Sequence, residues 1–414
     1  MTAAYDAIVV GARCAGSPTA MLLARKGYRV LLVDRASFPS DTLSCHYIHQ
    51  PGVACLERWG LLDQVARSNC PPVYEQTLDV GPFALTGAPP PCGDVAAGYC
   101  PRRTILDEIL VGAAAESGAE VRQGFSVQEL VTEGGRVTGI RGRIGGGPTV
   151  TERAPIVIGA DGMNSFVARS VQAPKYNEQP ALTCAYYTYW SGVDIDGVEL
   201  YPRPGRMIIA GPTNDGQTMT IAYWPNADFH DVRSDIERHF LEALELAPGL
   251  AERIRGGTRS ERYRGTSQLP NFFRSAHGDG WALVGDAGYH KDPILALGIS
   301  DAFRDVELLT EAVDAGLSCR QPLAEALAGY ESTRNELAAG GYESSIQLAH
   351  LAPPPAEMQM LLGALLHDQE QTNRFMGTFA GTVAAAEFYA PENVARILGE
   401  PANNDTARVA ARDS

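Results

Sequence analysis

Lysine is the residue this chain nearly lacks. Of its 34 basic side chains only three are lysines, Lys26, Lys175 and Lys291. Any chemistry that needs a lysine amine therefore has three places to come from. Acidic residues outnumber basic ones, and the net charge of −15 at pH 7 argues against a nucleic-acid or anionic-membrane partner. No apolar run approaches the ~18 residues of a membrane-spanning helix. The eight cysteines are scattered from Cys14 to Cys319 and none stands in a CxxC pair, so neither zinc nor an iron–sulfur cluster is expected and no metal is assigned. A chain of 414 residues folds without disulfides, and no secretory signal pattern is visible; a cytoplasmic protein is the expectation.

What is present begins at the first strand. "YDAIVVGA" (5–12) is apolar and β-branched, as a buried parallel strand should be. "SPTAMLLARKGY" (17–28) has helical apolar spacing and carries Gly27 as a C-cap signal. "RVLLVDR" (29–35) is a second buried strand with Asp34 at its end, 23 residues after Gly11. That spacing suits a βαβ dinucleotide unit. In "VVGARCAGS" (9–17) Gly11 would make the tight turn and Gly16 the close helix–strand contact, but Arg13 takes the place of the middle glycine. A helix N-terminus still offers free N–H groups to a phosphate, and Arg13 would add a direct phosphate contact.

Two later strand-to-turn junctions follow. "APIVIGADGMNSFVARS" (154–170) carries Asp161-Gly162, and "GWALVGDAGYHKDPILALGISDAFRDVELL" (280–309) carries Gly285-Asp286-Ala287 before a long helix. With "RRTILDEIL" (102–110), these motifs in this order resemble the flavoprotein monooxygenases of the para-hydroxybenzoate hydroxylase type. Their superfamily also holds flavin-dependent halogenases and geranylgeranyl reductases. The likeness covers roughly residues 5 to 340.

The resemblance implies a site residue by residue. Gly11, Arg13, Ala15 and Gly16 would line the FAD pyrophosphate, and Asp34 would take the adenosine ribose with Arg35 near the adenine. Arg103 would reach the ribityl or phosphate region, Asp161 would hold the turn behind the pyrophosphate, and Asp286 would bind a ribityl hydroxyl. Pro293, Gly298 and Ile299 would run past the isoalloxazine ring. The family's loop reads P-x-x-G-x-G, whereas this chain has "PILALGIS" with only the second glycine. A helix starting at Gly298 would turn its N–H groups toward an anionic reduced flavin and stabilise it by ~0.3–2 kcal/mol.

The expected fold class is α/β: a Rossmann-like FAD-binding domain of the glutathione reductase type, an inserted, mostly antiparallel substrate sheet, and C-terminal helices. Residues 1–75, 96–180 and 271–320 would form the discontinuous FAD domain, 76–95 and 181–270 the sheet domain, 321–400 a helical region and 401–414 a flexible tail. In "CAYYTYW" (184–190), Tyr187 and Tyr189 share one sheet face and Tyr186, Thr188 and Trp190 the other. Tyr187 is a candidate substrate wall. His46, in "SCHYIHQPG", is a candidate proton relay, and His290 and Lys291 are candidates for flavin or substrate contact.

The implied activity is a monooxygenase that inserts one oxygen atom into a small aromatic or secondary-metabolite substrate through a flavin hydroperoxide. NAD(P)H is the expected electron donor, bound transiently, because no second dinucleotide fingerprint occurs; the other source is a separate flavin reductase. The alternative is a C–C reductase of the geranylgeranyl type, to which "GARCAG" and "SCHYIHQPG" bring the chain close. A halogenase is disfavoured, since no W-x-W-x-x-P-like stretch occurs and no lysine falls at the required point. A monomer or homodimer is expected.

Overall fold

The computed structural model describes residues 5–399; the tail at 401–414 lies outside them. Ala7–Val10, Val30–Val33, Glu120–Arg122, Val157–Gly159 and Trp281–Leu283 form a parallel sheet, and His277–Gly278 closes one edge antiparallel. Strands Ala7–Val10 and Val30–Val33 are buried along their whole length, because the sheet is covered on both faces. On one face lie the helices Gly16–Arg25, Arg103–Glu116 and Gly298–Leu317. On the other lies a three-stranded antiparallel meander, Phe125–Glu133, Arg136–Ile144 and Val150–Arg153, which supplies Phe125, Val137 and Ile140 to the core. The first helix ends at Arg25, and Gly27 turns the chain at φ 91°, a value that suits glycine.

A second, eight-stranded sheet has Thr183–Ser191, Gln217–Pro225, Arg206–Pro212 and Val198–Arg203 as its centre. Gln76–Asp79 and Ala84–Gly87 extend it, joined by the parallel pairing of Gln76–Asp79 with Val198–Arg203. Alternation along Thr183–Ser191 divides its aromatics between faces. Tyr186 and Trp190 join Trp224 and Phe240 in a core under the helices Ile236–Leu244 and Pro248–Gly256. Tyr187 and Tyr189 join Met219, Ile221 and Tyr223 on the opposite face, toward the parallel-sheet half of the molecule. The C-terminal helices Ala356–Leu365 and Gln369–Ala380 close that side with Leu361, Leu365, Phe375 and Met376. Among the described residues no helix is long and apolar enough to cross a membrane.

The helix Gly298–Leu317 is the hub of the helical layer. Its Phe303 is fully buried and meets Trp59 edge to face, ring centroids 5.0 Å apart. Phe303→Ala should cost ~3–5 kcal/mol, read as a lowered urea midpoint by far-UV circular dichroism; an unchanged midpoint would place the core elsewhere.

Candidate cofactor and substrate site

Every parallel strand of the nucleotide half releases its chain at the same edge, so Gly11, Asp34, Asp161 and Asp286 emerge side by side. The turns pack backbone on backbone. A Cβ placed on Gly16 would lie 1.7 Å from the Gly11 carbonyl oxygen, and one on Gly11 2.4 Å from the Ala160 oxygen. A Cβ on Gly285 would lie 2.9 Å from that of Ala15. The turns after the first, fourth and fifth parallel strands therefore converge, and the glycines are required by the closeness of approach. No side chain caps the helix Gly16–Arg25, which leaves its N-terminus available to an anion.

Asp34 ties the second strand to this turn. Its carboxylate accepts from the N–H of Ala12 and of Ala36, both at 2.7 Å. Arg35 beside it is exposed. Asp161 is largely occupied locally: it accepts from Ser165 Oγ at 2.5 Å and from the N–H of Phe166 and Val167 at 2.6 and 3.2 Å. Burial raises its pKa, and those bonds work against the rise. Asp286 is exposed and faces the charge of Arg103. Arg103 is buried and held by Asp107 of its own helix turn, with contacts of 2.9–3.1 Å. Arg13 donates to Asp107 Oδ2 at 2.5 Å, an oxygen it shares with Arg103, and to Ser40 Oγ at 2.9 Å. One buried carboxylate thus orients two guanidiniums at the mouth of the glycine turn. Asp107 was not singled out from the sequence, although Arg103-x-x-x-Asp107 is an i,i+4 pair.

The loop before the long helix is pinned from below. Asp292 accepts from Thr183 Oγ1 at 2.6 Å and from the Ile294 N–H at 3.1 Å, while its own N–H donates to Asn271 Oδ1 at 2.7 Å. Burial pushes its carboxyl up to about 6. Pro293 turns the chain, Ala296 sits at φ 53°, and Gly298 has open space where a side chain would be. Ile299 is buried against the helical core. No side chain caps Gly298–Leu317 either.

His46 lies opposite this loop, fully buried, at φ 61°, a conformation that costs a non-glycine residue about 1–3 kcal/mol. Its Nε2 pairs with the Tyr189 hydroxyl, and its Nδ1 has no partner. Burial, then the guanidiniums of Arg103, Arg102 and Arg264, push its pKa down to about 3. The Tyr187 ring stands 5.8 Å from it, and the Tyr187 hydroxyl is also unpartnered. Arg102 covers the Tyr189 ring at 4.3 Å and pairs with Glu261.

His290 and Lys291 are placed away from this group. His290 Nδ1 contacts the Pro270 carbonyl at 2.5 Å and the ring stacks near Phe272. Lys291 is buried in an ion cluster with Asp301, which also holds Arg304. His290 lies within the small sheet Lys175–Gln179, Asn271–Arg274, Tyr289–His290, beside Phe272, and Lys291 turns to the first turn of the long helix, over the Tyr289 ring. The sequence could place them in the loop but not choose which way the loop faced.

A small cavity of about 50 Å³ opens between the loop Ile294–Ala296, the segment Cys45–His49 and the inner face of the large sheet. Its walls are mainly aliphatic, with Val198, Leu200, Ile209, Met219 and Ile221 from the sheet. At its edge Cys45 Sγ lies 3.3 Å from both the Tyr223 hydroxyl and the Pro293 carbonyl. Burial pushes the Cys45 thiol up to about 11, so it is protonated at neutral pH.

The parallel sheet with its converging turns, facing a cavity under an antiparallel sheet, is the architecture of two-lobed flavoenzymes. A family model described as "FAD binding domain" matches residues 4–343, and the chain belongs to that family. Among curated proteins it is 28% identical over 337 residues to digeranylgeranylglycerophospholipid reductase 1 of Methanococcoides burtonii, covering 78% of this chain and 75% of the relative. It is also 28% identical over 357 residues to kynurenine 3-monooxygenase of Salinispora arenicola, covering 79% and 75%. Among solved structures, the myxobacterial chondrochloren halogenase CndH superposes with a TM-score of 0.78 at 19% identity, covering 95% of this chain and 97% of the other. That last likeness is one of fold.

Two outcomes are expected. Gly16→Ala puts a methyl into the Gly11 carbonyl, so the purified protein should lose most of its FAD, read as bound flavin per chain in the visible spectrum. The second concerns pH. His46 stays neutral in the native state down to about pH 3, whereas in the unfolded chain it takes up a proton near 6.5. Between those values the unfolded state binds more protons, so stability from this residue falls as pH falls. His46→Asn should remove a slope of up to ~1.4 kcal/mol per pH unit from that window. Denaturation at pH 7, 6 and 5 for both proteins measures it, and identical slopes would refute the buried neutral imidazole.

Proposed function

We propose that the protein is an FAD-dependent monooxygenase that transfers one oxygen atom from O2 to a small organic substrate. The observation that carries this reading is the aliphatic cavity against the Pro293–Ala296 loop, whose lining includes no charged side chain. Transfer of a single oxygen atom requires that water be kept from the reacting atoms, and such walls do that. Bound FAD supplies the redox chemistry. The chain's residues hold and orient it: Gly11, Ala15 and Gly16 admit the pyrophosphate against an uncapped helix, Asp34 takes the ribose, and Arg13 and Arg103 offer positive charge. Asp286 and the N-terminus at Gly298 and Ile299 complete the cradle. His46, neutral and with an unpartnered Nδ1, offers one hydrogen-bonding position on the side of Tyr187.

The lysines speak against halogenation. Lys26 pairs with Glu311 and Asp314, Lys175 lies 4.2 Å over the Phe272 ring, and Lys291 pairs with Asp301; none lines the cavity. A second reading, reduction of a carbon–carbon double bond, is favoured by one observation. Cys45 and Tyr223, both protonated, stand together at the cavity edge and offer a proton to a reduced substrate.

Electrons come from NAD(P)H bound transiently or from a separate flavin reductase. The holoprotein should consume O2 in step with NAD(P)H, or with enzymatically supplied reduced flavin, and yield a product heavier by one oxygen atom when substrate is present. Equal turnover under nitrogen, with a product heavier by two hydrogens, would replace this reading with the reductase.

A further inference from the structure

The cavity holds three buried polar atoms that the protein itself leaves unsatisfied. Tyr47 Oη, His49 Nδ1 and Gln76 Nε2 have no hydrogen-bond partner among the described residues, and all three side chains line the cavity. Their residues are 6%, 4% and 3% exposed. An unmade hydrogen bond at a buried polar group costs ~1–3 kcal/mol, and native proteins rarely leave three together. The rings of Tyr47 and His49 meet edge to face with centroids 4.7 Å apart, and the Gln76 amide is a hydrogen-bonding neighbour of the Tyr47 hydroxyl that stops short of bonding geometry. The three atoms therefore form one polar spot on an otherwise apolar wall.

The roles of these atoms follow from their fixed partners. His49 Nε2 lies 2.9 Å from the Leu295 carbonyl oxygen. A carbonyl only accepts, so Nε2 carries the hydrogen. Burial holds the ring neutral, with its pKa pushed down to about 4, so Nδ1 is a bare acceptor. Gln76 Nε2 is a donor only, and the Tyr47 hydroxyl is both. One small ligand group answers an acceptor and a donor at the same place without bringing charge: a hydroxyl. A carboxylate would meet the lone pair of His49 and find no cation along the lining, and an ammonium would find no anion. The cost of burying either unpaired is large.

We propose that His49, Tyr47 and Gln76 form a binding site for the hydroxyl group of an uncharged, largely aliphatic substrate. The proposal rests on the reading of this cavity as the substrate pocket, and it excludes free amino acids as substrates. It makes Tyr47 and Gln76 specificity-determining residues, and it assigns His49 a second task, since the same ring anchors the cofactor-side loop through Leu295.

The test is binding of four eight-carbon probes to the holoprotein by calorimetry: 1-octanol, methyl octyl ether, octanoate and octylamine. Octanol should bind at least tenfold tighter than either charged probe. It should bind about 3–10-fold tighter than the ether, which cannot donate to His49, as one neutral hydrogen bond provides. Tyr47→Phe removes only a hydroxyl and Gln76→Leu keeps the volume; each takes away a donor that the alcohol and ether oxygens share, so each should lower the affinity of both severalfold and leave the octanol-to-ether ratio, set by His49, unchanged. Octanol and ether binding alike, or octanoate binding as well as octanol, would overturn the proposal and leave the three atoms as a pocket for water. Flavin content, read separately from the visible spectrum, reports on the cofactor reading. A yellow protein that fails to discriminate the probes sinks this inference alone, and a colourless one sinks the flavin reading whatever the probes do.

Discussion

The architecture turns on a distance of approach. Between Gly16 and the Gly11 carbonyl there is no room for a methyl group, and the same holds between Gly11 and the Ala160 oxygen. Those contacts draw the end of the first strand, the start of the first helix and the end of the fourth parallel strand into one knot of backbone. At the knot itself the contacts are backbone on backbone, beside a helix N-terminus that no side chain caps, an arrangement that suits an anion. The third turn is keyed in the same way, through Gly285 against Ala15. Because the knot is built from backbone, it tolerates Arg13 in place of a glycine. The arginine leaves the knot sideways, to Asp107 and Ser40, and adds charge at the rim.

How much of this was legible in the sequence depends on the range of the interaction that decides it. The βαβ unit is local: strand, glycine turn, helix and acid follow within 34 residues, and hydrophobic periodicity declares each piece. The alternation in Thr183–Ser191 likewise declared which tyrosines share a face. Other features are decided by contacts across long separations. Nothing near Gln76 says that its strand joins Val198–Arg203 in parallel and turns its amide to the cavity. Nothing near His290 and Lys291 says that the loop faces them toward Phe272 and Asp301 and away from the large sheet. The i,i+4 pair Arg103–Asp107 is local, but the arrival of Arg13 on the same carboxylate, 94 residues away in sequence, makes it a rim and not a helix-surface bridge.

Charge is sorted across the molecule. Between the converging turns and the near edge of the large sheet, buried or half-buried guanidiniums collect: Arg13 and Arg103 on Asp107, Arg102 on Glu261, Arg264 on Asp41. On the cavity side the lining is neutral, and burial pushes its titratable groups toward their uncharged forms. His49 goes down, while Cys45, Tyr47 and Tyr223 go up. His46 stands at the border and is neutral for both reasons, desolvation and the nearby arginines. Such sorting leaves a strong field around the converging turns and a weak one in the cavity.

The segment from Asp292 to Gly298 is where the two environments meet, and its construction explains why they stay separate. Asp292 is fixed to Thr183 of the large sheet and to Asn271 of the small one, so the loop cannot slide without breaking buried hydrogen bonds. His49 holds Leu295, and its own N–H donates to Ser300 in the first turn of the long helix. Gly52 allows that helix to come close, since a Cβ there would meet Ser300 Oγ at 2.6 Å. The wall of the cavity and the start of the long helix are therefore one piece of chain, clamped at one end by Asp292 and at the other by His49, which also lines the cavity. A ligand seated against His49 bears on Leu295 and on the first turn of the long helix, because His49 is bonded to both.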